Sequence, residues 1–189
     1  MLDKLRAIDI DLFVFLNGLG SESFDPFWLL VTKQINWIPL FLLLLYLIYS
    51  KIGVKQTIYL LVFVALLVTF TDQVTNLFKN GFQRLRPCNN TDINSFIRVV
   101  QQRGSYSFFS GHASNSMAVA TFIFCVFRSQ FKYFGFIFLW PLVFAYSRIY
   151  LGLHYPLDIL TGYLFGVLSG YLVFKTYSHF QKKYFPLGQ

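Results

Sequence analysis

The stretch Thr57–Phe78, TIYLLVFVALLVTFTDQVTNLF, decides the fold class. Its 22 residues carry a single charge, Asp72. As an α-helix it rises about 33 Å, enough to cross the roughly 30 Å hydrocarbon core of a bilayer. Four more apolar runs surround it. Trp37–Tyr49, extended back toward Phe27, comes before; Ala113–Phe127, Tyr133–Tyr146 and Tyr155–Phe174 follow. The rest of the composition agrees: of 189 residues, 56% are hydrophobic, 21% aromatic and only 13% charged. A soluble domain carries about 25% charged residues, so this chain folded in water would leave wide apolar surface bare. A soluble enzyme and a disordered chain are excluded, and with two cysteines so is a disulfide scaffold. The expected architecture is all-α. It is one membrane-embedded domain over residues 1–189, a helical bundle of five to six transmembrane helices with an N-terminal amphipathic helix.

That helix is read from residues 1–24. Leu5, Ile8, Leu12, Phe15 and Leu19 recur at helical spacing, while Asp3, Lys4, Asp9 and Asp11 lie off the stripe. The pattern predicts a helix lying on the membrane surface, its polar side in water; a sixth span is the competing reading. Charge then orients the bundle. Lys51 and Lys55, Arg128 and Lys132, and the tail residues Lys175, Lys182 and Lys183 fall in three segments without acidic residues. Short Lys/Arg-rich segments stay cytoplasmic. The segment 79–112 and the turn before residue 155 are thus expected to face outward, and the C-terminus inward. The formal net charge of +8 is largely this topology signal and implies no nucleic-acid partner. Gly162, Gly166 and Gly170 form a small-residue ridge for close helix contact inside the bundle. Pro141 is expected to kink its span. Cys88 and Cys125 are too differently placed to pair.

Polar residues gather at the outward ends. Lys79, Arg84, Arg86 and Pro87 follow one span, Ser110-Gly111-His112 precede another, and Ser147-Arg148 with His154 and Asp158 bridge the last two. Lys79, Arg86 and Arg148 suit a phosphate dianion, because a guanidinium matches phosphate oxygens with a planar fork of donors. Ser110 and Gly111 start a helix whose free N–H groups point at anions. Asp158, four residues after His154, can orient its ring and stabilise the imidazolium. A neutral, oriented imidazole is a nucleophile toward phosphorus, and His112, from another helix, is placed for general acid–base work. No acidic cluster accompanies them, so metal-independent chemistry without a cofactor is expected. Asp72 and Asn115 are candidate supporting residues, Asp72 behind Lys79, though helix contact explains either. Arg84, Arg98 and Arg103 read equally well as cations that snorkel to the interface.

Lys79-x6-Arg86-Pro87, then Ser110-Gly111-His112, then Ser147-Arg148-x5-His154-x3-Asp158 resemble the three-part signature of the type 2 phosphatidic acid phosphatases, the PAP2 superfamily. The resemblance covers about residues 70 to 175. It implies that His154 forms a phosphohistidine with Asp158 as partner, and that His112 is the general acid and then base. It also implies that Lys79, Arg86, Ser110, Gly111 and Arg148 bind phosphate. The chain departs at Phe109, where the second motif usually has proline. The expected function is a bacterial lipid phosphatase acting at the outer face of the cytoplasmic membrane. Undecaprenyl pyrophosphate is the first substrate choice, with lipid A and phosphatidylglycerophosphate or phosphatidate close behind. A lipid phosphotransferase and a non-catalytic anionic-lipid transporter are the competing functions.

Overall fold

In a computed structural model, residues 2–184 are described; Met1 and residues 185–189, part of the expected single domain, lie outside the described residues. Among the described residues six α-helices form: α1 (Leu2–Gly18), α2 (Asp25–Val31), α3 (Ile38–Phe82), α4 (Gly111–Phe127), α5 (Leu139–Tyr150) and α6 (Pro156–Tyr184). No strand occurs among the described residues. By length and composition, the α3 segment and α6 are apolar enough to cross a membrane, while α4 and α5 are shorter apolar helices.

α3 contains two of the expected spans. They meet at Gly53, whose φ of 71° is closed to most side chains. There the chain doubles back, bringing Leu45 and Ile48 of the first half to the same cavity as Leu60 and Leu61 of the second. The first span does not extend back to Phe27 as one helix. α2 stops at Val31 because side chains take its last carbonyls: Trp37 Nε1 donates to Val31 O at 2.8 Å and Asn36 Nδ2 to Leu30 O at 2.7 Å. Pro39 then sits in the first turn of α3, where a missing N–H costs nothing. Pro141 behaves alike. It does not kink a span; it stands in the first turn of α5, after a 3-10 turn over 134–138.

The glycine ridge joins α6 to α4. A Cβ on Gly162, Gly166 or Gly170 would lie 2.8, 2.6 or 2.4 Å from the Ser110, Ser114 or Ala118 carbonyl oxygen, so no larger residue fits without parting the helices. A core of Leu60, Leu67, Phe122, Phe127 and Tyr177 fills the bundle toward the Gly53 end. Toward the other end, Phe109 is buried against Phe78, Phe108 and Phe165, so an aromatic cluster shapes the loop where proline is usual. Both cysteines are free.

α1 is shorter than the expected 1–24, and its polar side is divided: Asp3, Lys4 and Asp11 are exposed, whereas Asp9 is buried. The apolar stripe faces outward, with Leu5, Ile8, Leu12, Phe15 and Leu19 all exposed. The opposite face, Asp9, Phe13 and Asn17 at four-residue steps, is buried against the bundle. Asn17 closes the end of α5: its Nδ2 donates to the carbonyls of Ile149 and Tyr150 at 3.1 and 3.0 Å, and its Oδ1 accepts from Arg98 N at 2.7 Å. A buried polar side chain survives in such a place only when fully bonded.

Candidate active site

Four helix ends meet at one end of the bundle. Lys79 lies in the last turn of α3, Ser110 caps α4, Arg148 ends α5, and Asp158 stands in the first turn of α6. The turn between α5 and α6 carries His154. It folds tightly because the N–H groups of Leu153 and His154 both donate to Arg148 O, at 2.9 and 3.2 Å. Gly152, with φ of 80°, makes the reversal, and its bare Cα lets the Arg98 carbonyl approach.

Helix capping presets Asp158. Its Oδ2 accepts from Tyr155 N at 3.0 Å, reaching back over the helix start as in a capping box. The same oxygen lies 3.4 Å from His154 Nδ1. On the other side of the ring, Nε2 lies 2.9 Å from a terminal nitrogen of Arg86. A guanidinium only donates, so Nε2 must offer its lone pair and the ring proton belongs on Nδ1, toward Asp158. Complete burial, with Arg86, Arg148 and Lys79 beside the ring, holds His154 well below the usual histidine range. At neutral pH it is therefore an uncharged imidazole with its Nε2 lone pair turned toward the cations.

Arg86 is held on several edges. Its Nε donates to Ser105 O at 2.7 Å, one terminal nitrogen to Ser105 Oγ at 2.8 Å, and the other also to Leu153 O at 2.9 Å. Arg148 is 1% exposed; one terminal nitrogen donates to Thr32 Oγ1, and its Nε has no protein partner. Lys79 reaches the start of α4: a Cβ on Gly111 would lie 3.7 Å from its Nζ and 3.4 Å from Thr75. Glycine at 111 thus leaves room between the ammonium and the helix N-terminus. Ser110 Oγ accepts from Ala113 N at 3.4 Å, which leaves the N–H groups of Gly111 and His112 without intrahelical acceptors. Three cations and one helix N-terminus therefore gather about His154, an arrangement chemically suited to an anion.

His112 stands on the other side. Its ring lies over Phe144 at 5.0 Å and, with Gln34, Asn115 and Ser116, forms the polar part of the lining of a cavity of about 350 Å³. The remaining lining is apolar and comes from Trp37 just before α3, from both halves of α3, including Phe41 and Val64, and from α4 and α5, including Trp140. Asp72 accepts from Asn76 Nδ2 at 3.1 Å and acts on the Lys79 charge through space. Asn115 Oδ1 is buried without a partner. Among the described residues no three His, Cys, Asp or Glu side chains gather as a metal site.

Several partnerships were not legible in the sequence. Arg84 does not snorkel: it donates to Asp158 Oδ1 at 2.8 Å and to Asp9 Oδ2 at 2.6 Å. Arg98 likewise pairs with both oxygens of Asp25, at 2.9 and 3.0 Å. Ser105 and Ser107, in a loop without a motif, hold Arg86 and brace the backbone of Arg84 and Leu85. Thr32 and Asp9 come from helices far away in sequence, and nothing local marked them.

The sequence profile of the PAP2 superfamily matches residues 56–182. The chain belongs to the PAP2 superfamily. It is accordingly a phosphatase, and the reading as a non-catalytic transporter is set aside. Among PAP2 relatives, the lipid A 4'-phosphatase of Bacteroides thetaiotaomicron is 36% identical over 178 residues, covering 92% of this chain and 79% of that protein. The lipid A 4'-phosphatase of Porphyromonas gingivalis is 29% identical over 188 residues, covering 97% and 78%. Two solved PAP2 folds superpose well. Aquifex aeolicus LpxE gives a TM-score of 0.67 at 22% identity, covering 88% of this chain and 94% of that one. The transmembrane PAP2 type phosphatidylglycerolphosphate phosphatase of Bacillus subtilis gives 0.71 at 17% identity, covering 96% and 88%. At those identities the two structures speak for the fold.

Proposed function

We propose that this protein is a lipid A 4'-phosphatase of the bacterial cytoplasmic membrane, with its site on the outward face and its C-terminus in the cytoplasm. The observation that carries the substrate is the similarity to two lipid A 4'-phosphatases along nearly the whole chain, the closer of the two at 36% identity. Undecaprenyl pyrophosphate, the first expectation from the residues alone, finds no such support and yields to lipid A. The apolar cavity beside His112 suits a substrate that brings an acyl chain along with its phosphate.

In the proposed reaction the phosphate monoester settles among Lys79, Arg86, Arg148 and the N–H groups of Gly111 and His112. Its oxygens draw Arg86 off the Nε2 lone pair. Nε2 attacks phosphorus as the P–O bond to the sugar breaks, and the electron pair leaves on the sugar oxygen, which takes a proton from His112. The imidazole, now phosphorylated and cationic, is stabilised by Asp158 through Nδ1–H. Water then attacks phosphorus and gives its proton to His112, the N–P pair returns to Nε2, and inorganic phosphate departs. Cations and helix N–H groups act where negative charge builds up, the largest source of catalysis in such sites.

The test is phosphate release by purified protein in detergent with EDTA, on lipid A, phosphatidylglycerophosphate, phosphatidate and undecaprenyl pyrophosphate. Turnover of lipid A at the 4' position, abolished by His154→Ala, is expected. Preferential turnover of another lipid would overturn the substrate, and an active His154→Ala would overturn the mechanism.

A further inference from the structure

The profile that defines the family begins at residue 56, yet a side chain from α1 is built into the support of the proposed nucleophile. Asp9 is 2% exposed. Its Oδ2 accepts from Arg84 at 2.6 Å, and its Oδ1 accepts from Leu157 N at 2.8 Å, one of the free N–H groups at the start of α6. Arg84 in turn donates to Asp158 Oδ1 at 2.8 Å, and its guanidinium lies 3.9 Å above the Tyr155 ring. Each terminal nitrogen is thus committed to one carboxylate and the flat face to an aromatic ring.

Asp158 has two oxygens to divide. Arg84 occupies Oδ1, which leaves Oδ2 for Tyr155 N and His154 Nδ1. Without Arg84 the Asp158 carboxylate would lose its bond at Oδ1 and be held only by Tyr155 N and the Ser107 side chain, so that it would face His154 Nδ1 less firmly. Charge gives a second reason. Asp158 and Arg84 alone cancel; Asp9 makes the buried trio net negative. That surplus opposes the positive charge that His154 takes on when its Nε2 is phosphorylated, in a surrounding where charge is weakly screened.

We propose that Asp9, acting through Arg84, is a positioning residue for the His154–Asp158 pair, so that α1 is part of the catalytic apparatus and not only a membrane-surface anchor. The proposal rests on the phosphohistidine reading above. Neither Asp9 nor Arg84 touches substrate; both act through Asp158.

The experiment compares Asp9→Asn, Asp9→Glu, Asp9→Ala and Arg84→Gln with wild type, reading kcat and KM for lipid A, the pH profile and the thermal midpoint in detergent. Asp9→Asn keeps an oxygen for Leu157 N–H, so the helix start stays capped while the charge goes. Its kcat is expected to fall about 10- to 100-fold, the usual cost of losing a group that orients a ligating or reacting histidine, with KM within about twofold because substrate contacts are untouched. Asp9→Glu restores part of the loss. Burial raises the Asp9 carboxyl above its usual range, while Arg84 pulls it down; the charged or titratable groups facing it are Arg84, Asp158 and Tyr155. Wild-type kcat should therefore decline on the acid side as Asp9 takes up a proton, and Asp9→Asn should lack that step. A purely architectural Asp9 predicts otherwise: Asp9→Asn with wild-type kcat and pH profile, and only Asp9→Ala impaired through stability. That result overturns the proposal. If His154→Ala is inactive while Asp9→Asn matches wild type, the positioning role alone fails; if His154→Ala is active, the phosphohistidine reading fails with it.

Discussion

Cations crowd both ends of this bundle and do opposite things. At the Gly53 end, Lys51, Lys55, Arg128, Lys132, Lys175, Lys182 and Lys183 are all exposed. Several lie along aromatic rings, Lys51 5.6 Å from Phe131 and Lys175 5.4 Å from Tyr171, which is how a long side chain covers apolar surface while its charge stays in water. At the other end Arg86 and Arg148 are 3% and 1% exposed. Arg86 makes named bonds to Ser105, Leu153 and His154, whereas Arg148 holds a buried donor with no partner. Where solvated, the same residue type carries the charge pattern that the proposed orientation rests on; where stripped of water and positioned by protein, it supplies the donors of the proposed anion site.

The largest test of that contrast is His154→Ala, which takes away the acceptor that the site-end cations surround. A loss of about 10⁴-fold in kcat is expected, comparable to disabling a catalytic histidine pair elsewhere, read as phosphate release from lipid A. A variant within tenfold of wild type would mean that the cations serve binding alone. Arg86→Lys keeps the charge and deletes the fork; a loss of about 10²- to 10³-fold in kcat is expected. Were charge alone enough, this variant would be nearly silent. Gly170→Val puts a Cβ where only 2.4 Å separates it from Ala118 O, and should destabilise the α4–α6 pair by about 1–3 kcal/mol, seen as a lower thermal midpoint. Because His154 is held below the usual histidine range, its protonation adds no loss of kcat between pH 8 and about 6.5, the ordinary histidine value; a step in that interval that Asp9→Asn retains would place a proton on the nucleophile earlier than its surroundings allow. Smallest of all, Lys51→Gln with Lys132→Gln should leave kcat within about twofold, as exposed charges contribute little.

Spans and family were readable for a physical reason, and the residues of the proposed site share it: each is written in local pattern. Apolar runs of membrane length, Lys/Arg-rich segments between them and three short motifs at span ends need no knowledge of distant neighbours. The same local logic misread α1. The apolar stripe is exposed as its spacing predicts, and Asp9 and Asp11 lie alike off it, yet Asp9 is buried while Asp11 is exposed. No spacing along the helix separates the two. Arg84 posed the same difficulty, since a cation just past a span snorkels by default and only an acid brought from elsewhere reverses that.

The residues by themselves determined that this is a helical membrane phosphatase and pointed to the histidines and cations at one end as its proposed phosphate site, because lipid demands internally bonded helices and phosphoryl chemistry demands such side chains. Tertiary structure alone decided which atoms face which: that His154 carries its proton on Nδ1, that Arg86 meets Nε2, that Thr32 holds Arg148, and that Asp9 reaches Asp158 through Arg84. Hydrogen bonds and ion pairs act over about 3 Å, and residues 75 and 74 positions apart, as Asp9, Arg84 and Asp158 are, come that close only when the helices have docked.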